Sequence, residues 1–289
     1  MDSRFECISR FVLLLLLAST ALAQPFLVED GQEHSALSPT GTEGFHEPMK
    51  FARFYDGKSQ VFDADPSVTD FVIAYREATQ KRKAAGFLAL AEGKLTDFQK
   101  SAALEQAALL DKNATFIDQV PIESVRKTAQ MQNLLANYKA TEVVKQFDGE
   151  NFSKWPFWKR GDGLHARGRA CWITKNGQQA EADLVAALEW IGDPRSRETV
   201  LLVLAQNRET NLKDDADALD AYEAILEGKT RFGGADEFSA LQGIARIQTR
   251  RGQFDEALKT LNRAEPDKLQ GVWKTNILKS IEAVNAAQK

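Results

Sequence analysis

From position 67 onward apolar residues recur at steps of three and four, the spacing that gathers side chains onto one face of an α-helix. Val68, Phe71, Val72, Tyr75 and Ala78 form one such set; Ala103, Leu104, Ala107 and Leu110 form a second; Val125, Ala129, Leu134, Leu135, Tyr138 and Val143 form a third. Thr96 and Gln99 stand three apart in TDFQ ahead of the second set, the spacing of a capping box in which each side chain satisfies a backbone donor of the other. Residues 67–147 therefore read as packed helices without a clean repeat frame. Before them, MKFARFYDGKSQVFDADP holds an aromatic extended segment. Residues 24–48, rich in Gly, Pro, Ser, Thr and acids, lack apolar period and read as a flexible leader.

The segment FDGENFSKWPFWKRGDG interrupts the helical pattern with glycines, Pro156 and four aromatics between Phe152 and Trp158. It reads as a connection whose aromatics plug a core seam. A second reading stays open, in which Trp155 and Trp158 with Lys154, Lys159 and Arg160 offer a carbohydrate-stacking or peptide-binding surface.

Beyond Gly161 the pattern becomes paired. In ADEFSALQGIARIQTRRGQFDEALKTLNRAEP, Leu241, Ile244 and Ala245 place bulk and one small residue on a first helix. Gly252 permits a turn, and Ala257, Leu261 and Ala264 line a return helix that Pro266 discourages from continuing. Small residues let two helices approach and larger ones fill the remaining gaps, so the intervals specify an antiparallel pair. GDGLHARGRACWITKNGQQAEADLVAALEWIGDP carries a comparable set in Leu164, Gly168, Ala180, Leu184 and Ala187, with Pro194 after it. A third set lies between, with Leu201, Leu204 and Ala205 followed by Ala218, Tyr222 and Ile225.

These residues resemble the tetratricopeptide repeat family, whose 34-residue helix pairs stack into a curved solenoid. Phe254 also fits the pattern; Gln248 departs from it, because an aromatic is usual there. Ala180, Ala218 and Ala257 are 38 and 39 residues apart, and the connections NLKDD and GKTRFGG are the expected places for the extra residues. The stretch KLQGVWKTNILKSIEAVNAAQK is expected to cap the stack. AEADLVAALEW and LAQNRE also give the chain a weaker resemblance to repeat regions attached to secreted bacterial sialidase-like proteins. No propeller repeats accompany it. The expected fold class is thus all-α, a helix-pair repeat solenoid over 161–289 preceded by a less regular helical region over 49–160.

The repeat resemblance implies protein interaction or assembly rather than a reaction. It places His165, Arg169, Trp172, Leu202, Gln206, Gln242, Arg246 and Arg250 near the concave face, a mixed basic and aromatic groove suited to an acidic protein or peptide. An ordinary solvated helix face is the competing reading of the same residues. They lack the family's carboxylate-clamp pattern, so a chaperone tail is not implied. A carbohydrate-associated accessory module of a secreted glycan-processing system is the principal alternative, and a hydrolytic enzyme the third.

Charge and targeting narrow the setting. The formal charge of -4 in 289 residues lacks the basic excess with which nucleic-acid binders neutralise phosphates. Residues 1–23 combine Arg4 and Arg10, an apolar run from Phe11 to Ala18 and a terminal Ala21-Leu22-Ala23, the form of a cleaved secretory signal. Its apolar run is short of the ~20 residues of a permanent membrane span. The mature chain is expected to begin at Gln24 and to be periplasmic or extracellular in a bacterial host. Only Cys171 then remains, and an internal disulfide is impossible.

Catalytic chemistry finds little foothold. His165 and Cys171 are six positions apart, which turns them ~120° from each other on a helix. Cys171 beside Ala170 on a packed helix reads as a structural thiol. His34 and His46 are isolated from other ligand types, so neither a metal nor another cofactor is expected. Asn113-Ala-Thr115 and Asn151-Phe-Ser153 are glycosylation acceptors only in a glycosylating secretory route.

Overall fold

A computed structural model describes residues 26–29, 34–39, 50–55, 58–63, 66–191, 194–228 and 235–289. The expected signal segment 1–23, His46 and most of the GKTRFGG connection lie outside them. The chain divides into two compact units, residues 1–139 with 153–160, and residues 140–152 with 161–289.

The first unit opens with four short strands, β1 (Phe26–Glu29), β2 (His34–Pro39), β3 (Lys50–Tyr55) and β4 (Lys58–Asp63), each antiparallel to the next in one sheet. Two of the strands lie within residues 24–48, and the other two fall in the aromatic segment before Ser67. Phe51, Phe54, Tyr55, Val61 and Phe62 are residue types that a pleated backbone favours. The Tyr55–Lys58 pair leaves a two-residue connection whose sequence is Asp-Gly, the strongest short-range hairpin signal.

Helix is the architecture from Pro66 onward. The first unit contains α1 (Pro66–Lys81), α2 (Ala84–Ala91), α3 (Asp97–Leu110) and α4 (Glu123–Ala136), each packed on its neighbour. Gly86 lets α2 approach α1, since a Cβ there would meet that of Ala78 at 3.3 Å. The Tyr75 ring lies 5.6 Å from Phe71 and 5.1 Å from Phe87, centroid to centroid, in the core. The capping box forms as expected: Gln99 N–H donates to Thr96 Oγ1 at 3.3 Å and Thr96 N–H to Gln99 Oε1 at 3.0 Å.

The third apolar set is two helices rather than one. Lys139 N–H donates to the Leu134 carbonyl and Tyr138 N–H to that of Leu135, the paired closing bonds of a Schellman turn. Tyr138 takes its left-handed position with φ 61 and is 92% exposed, so it does not belong to the apolar face. Leu110, at the end of α3, is also exposed.

The second unit holds α5 (Ala140–Phe147), most of α6 (Phe157–Ile173), α7 (Gly177–Trp190), α8 (Pro194–Asn207), α9 (Asp215–Glu227), α10 (Ala235–Arg250), α11 (Phe254–Asn262) and α12 (Gly271–Ala287). From α7 on, each helix packs on the next; α8 also touches α10, and α10 touches α12. The left-handed residues between α6 and α7, α8 and α9, and α10 and α11 are Lys175, Lys213 and Gly252. They stand 38 and 39 positions apart, the spacing of Ala180, Ala218 and Ala257. Each alanine follows its turn residue by five positions and is fully buried. Lys175 and Gly252 close Schellman turns, with Asn176 N–H donating to the Cys171 carbonyl and Gln253 N–H to that of Gln248.

The middle pair carries one residue more than its neighbours between the small residue of its first helix and its turn: Ala205 precedes Lys213 by eight, whereas Gly168 precedes Lys175 by seven and Ala245 precedes Gly252 by seven. The NLKDD stretch is therefore not simply a longer loop. Helix α8 continues into a π turn, Arg208–Leu212, whose wider coil absorbs an inserted residue without breaking the helix.

Candidate functional site

The π turn is the point at which the expected groove residues gather. Asn207, fully buried, donates from Nδ2 to the Gly177 carbonyl at 2.9 Å. Asn211 donates to Asn207 Oδ1 at 3.0 Å and to the Trp172 carbonyl at 2.9 Å. Gly177 makes this docking possible, because a Cβ there would meet Leu212 at 2.9 Å. With its edge fixed in this way, the turn aims Glu209 inward.

Glu209 is 5% exposed and accepts hydrogen bonds from three side chains. Tyr222 Oη donates at 2.8 Å, Arg246 at 3.1 Å through Nε and 2.9 Å through Nη2, and Arg250 Nη1 at 2.9 Å. Arg250 Nη2 also reaches Asp215 at 2.6 Å. Burial by itself would raise the Glu209 pKa; the hydrogen bonds from Arg246 and Arg250 overcome it and hold the carboxylate below the ordinary glutamate range. Burial, then the neighbouring Glu209 charge, push the Tyr222 hydroxyl well above the usual tyrosine range.

Four expected groove residues converge here. Trp172 donates from Nε1 to Thr210 Oγ1 at 3.4 Å, the Gln206 carbonyl accepts from the same threonine hydroxyl at 2.6 Å, and Arg246 and Arg250 clasp Glu209. Gln242 lies one turn before Arg246 and donates to Ser280 Oγ at 2.9 Å and the Asn276 carbonyl at 3.3 Å. Leu202, partly buried, packs against the core cluster around Tyr222. Arg169 is exposed on α6. His165, one turn earlier, keeps Nε2 buried without a hydrogen-bond partner among the described residues.

The arginine charges are balanced within the cluster, two guanidinium groups against the carboxylates of Glu209 and Asp215. Their side chains nonetheless remain 52% and 47% exposed, so each presents an ordered edge to solvent. Sequence reasoning reaches the arginines and misses Glu209. The signal for it is the single inserted residue before Lys213.

The histidine and thiol are tuned away from each other. Burial takes the His165 imidazole down to about 4, which Asp162 opposes and Arg169 reinforces. Burial raises the Cys171 thiol to about 11, helped by Asp183. An imidazole-activated thiolate needs the opposite displacements. Among the described residues no three His, Cys, Asp or Glu side chains group to hold a metal, and no helix is long and apolar enough to cross a membrane.

In the aromatic connector, Phe152 and Trp155 are buried, and Arg160 donates to the Ser153 and Trp155 carbonyls at 2.8 and 3.0 Å. The Phe157 and Trp158 side chains lie outside the described residues. Comparison of the chain with family models, with characterised proteins and with solved structures returns no match.

Proposed function

We propose that the chain is an exported scaffold whose second unit is a stack of tetratricopeptide-like helix pairs holding a protein or peptide partner. The observation that carries this reading is the recurrence of a left-handed turn residue at Lys175, Lys213 and Gly252, each five positions before a buried alanine. A helix pair that repeats its turn and its close-approach position at near-constant period is a stacking unit, and stacked pairs build extended binding surfaces. Contacts between α8 and α10 and between α10 and α12 are the second-neighbour packing such a stack requires.

The partner surface in this reading is the face carrying Trp172, Gln242, Arg246, Arg250 and the exposed Arg169. Glu209 holds the two clasped guanidinium groups in fixed geometry, which lowers the entropy lost when a partner docks on them. The carbohydrate alternative draws no support from Trp155, which is 7% exposed and so lacks a free stacking face.

Cross-linking of the mature chain in its native compartment tests the proposal. A defined protein partner is expected, with capture reduced by Arg169→Glu and by Trp172→Ala at unchanged helical content. Absence of any specific partner overturns the scaffold reading; capture indifferent to both substitutions removes this face from it.

A further inference from the structure

Asp111 to Thr115, with the sequence DKNAT, begin the connection from α3 to α4 within the first unit. Two asparagines at the end of α4 hold the start of this turn. Asn133 donates from Nδ2 to the Ala108 and Asp111 carbonyls at 3.1 and 2.9 Å, and Asn137 donates to the Lys112 carbonyl at 2.8 Å. Asn113 N–H donates to Asp111 Oδ1 at 2.9 Å. At the other end Phe116 is buried. With both ends anchored, the turn between them lies on the surface, and Lys112, Asn113 and Thr115 are exposed.

The exposed residues carry a specific chemistry. Asn113-Ala114-Thr115 is the tripeptide that oligosaccharyltransferases accept, with no proline between the amide and the hydroxyl two positions on. Asp111 stands two positions before the asparagine, where transferases of the bacterial route also select an acid. Between Asn113 and Thr115 the one apolar group is the methyl of Ala114, partly buried against the core.

Asn151-Phe152-Ser153 differs on each point. Gly149 occupies the position of the acid, and serine replaces threonine. Its middle residue is a buried phenylalanine with the Arg167 guanidinium 4.7 Å over its ring. Drawing this tripeptide into an enzyme would pull an aromatic ring out of its packing, which costs far more than moving one methyl.

An exposed ring stands beside the Asn113 turn. Lys112 Nζ lies 5.7 Å from the centroid of Tyr138, which the packing of α3 on α4 leaves almost wholly in solvent. An aromatic face of this kind gives the apolar side of a sugar a stacking surface.

We propose that Asn113 carries an N-linked glycan, attached on export, and that Asn151 does not. The proposal rests on the exported character of the chain, not on its partner surface. Asn113 Nδ2 attacks the anomeric carbon of a lipid-pyrophosphate-linked oligosaccharide. The nitrogen–carbon bond forms, the bond from that carbon to the pyrophosphate oxygen breaks, lipid pyrophosphate leaves and the amide proton passes to solvent.

Mass spectrometry of tryptic peptides from the protein purified from its native host tests the site. A glycan on Asn113 is expected, with Asn151 bare. Asn113→Gln and Thr115→Ala should lose the glycan completely, and Thr115→Ser should keep it. Asp111→Asn separates the two sources of transferase: loss marks the bacterial route and retention the eukaryotic one, and the site stands in both. Bare Asn113 in a chain that begins at Gln24 overturns the site and leaves export standing; a bare chain that retains residues 1–23 overturns both. A glycan on Asn151 in place of Asn113, or one on Asn113 that survives Thr115→Ala, also overturns the proposal.

Discussion

Gly243 lies so close under the ring of Tyr222 that a Cβ added to the glycine would stand 2.3 Å from Tyr222 Cζ. This contact joins α10 to α9 at the level where the tyrosine hydroxyl meets Glu209. Gly243→Ala must displace the ring, and with it the hydrogen bond. A loss of ~1–3 kcal/mol is expected from overpacking, measured by urea unfolding. The loss should shrink in a Tyr222→Ala background, where the ring is gone; an equal loss there would show that another contact dominates, since helix propensity by itself favours alanine over glycine.

Glu209→Gln should weaken the clasp and change its pH response. Hydrogen bonds to a charged group contribute ~1.5–3 kcal/mol each at most, but half of each arginine is in water, so the total loss should stay below that of a fully buried pair. The sign follows from the lowered pKa. The contribution is complete above the unfolded glutamate pKa, about 4.3, and is lost as pH falls through the lower folded value. Denaturation midpoints at pH 6, 4 and 3 should therefore converge between wild type and Glu209→Gln on acidification. A gap that persists at pH 3 would argue against ionisation as its cause.

Arg169 and Arg246 should separate binding from stability. Arg169 is exposed, and Arg169→Gln is expected to change stability by no more than ~0.5 kcal/mol. Arg246→Gln removes two of the hydrogen bonds that keep Glu209 ionised in a buried site, so thermal unfolding should fall with it. Equal melting temperatures for the two variants would contradict the clasp.

These contrasts show where the sequence is informative. Ala180, Ala218 and Ala257 reveal the repeat because close helix approach demands a small residue whatever the partner side chain. Gly252 is legible as a turn, whereas Lys175 and Lys213 hold the same left-handed position with an ordinary side chain and give no local sign of it. The π turn hides because one inserted residue next to polar Asn211, Lys213 and Asp214 looks like a lengthened loop. Glu209 hides because its ionised form is buried only through Arg246 and Arg250, 37 and 41 positions away. The hairpin formed by β3 and β4 was open to reading through Asp56-Gly57, but helical periodicity downstream carries no information about it.

Lys159 and Glu105 form an ion pair at 2.6 Å with side chains only 6% and 10% exposed. Lys159→Met alone leaves a carboxylate without its cation in the first unit, and a loss of ~3–5 kcal/mol is expected. Adding Glu105→Leu should recover much of it, because apolar replacement of a whole buried pair is often neutral or stabilising. A double variant as unstable as the single one would show that the pair contributes through hydrogen bonds that leucine and methionine cannot replace.

Cys171 should behave as a protected thiol whose reactivity reports on its buried surroundings. Its side chain is 1% exposed, and its pKa is raised from 9.0 to about 11. Because the thiolate is the reacting species, the native protein at pH 8 should carry about 100-fold less of it than an unperturbed cysteine, before any steric protection is counted. Labelling of the chain from Gln24 by a disulfide reagent should thus be slow in buffer and fast in urea. The Asp148 carboxylate adds to the upward shift, after burial and the Asp183 charge, so Asp148→Asn should lower the thiol pKa and speed native labelling at constant stability. The pH at half-maximal rate is the quantity to follow, since greater exposure would raise the rate at every pH without moving that midpoint. An unmoved midpoint would place the Asp148 charge too far from Cys171 to act on it.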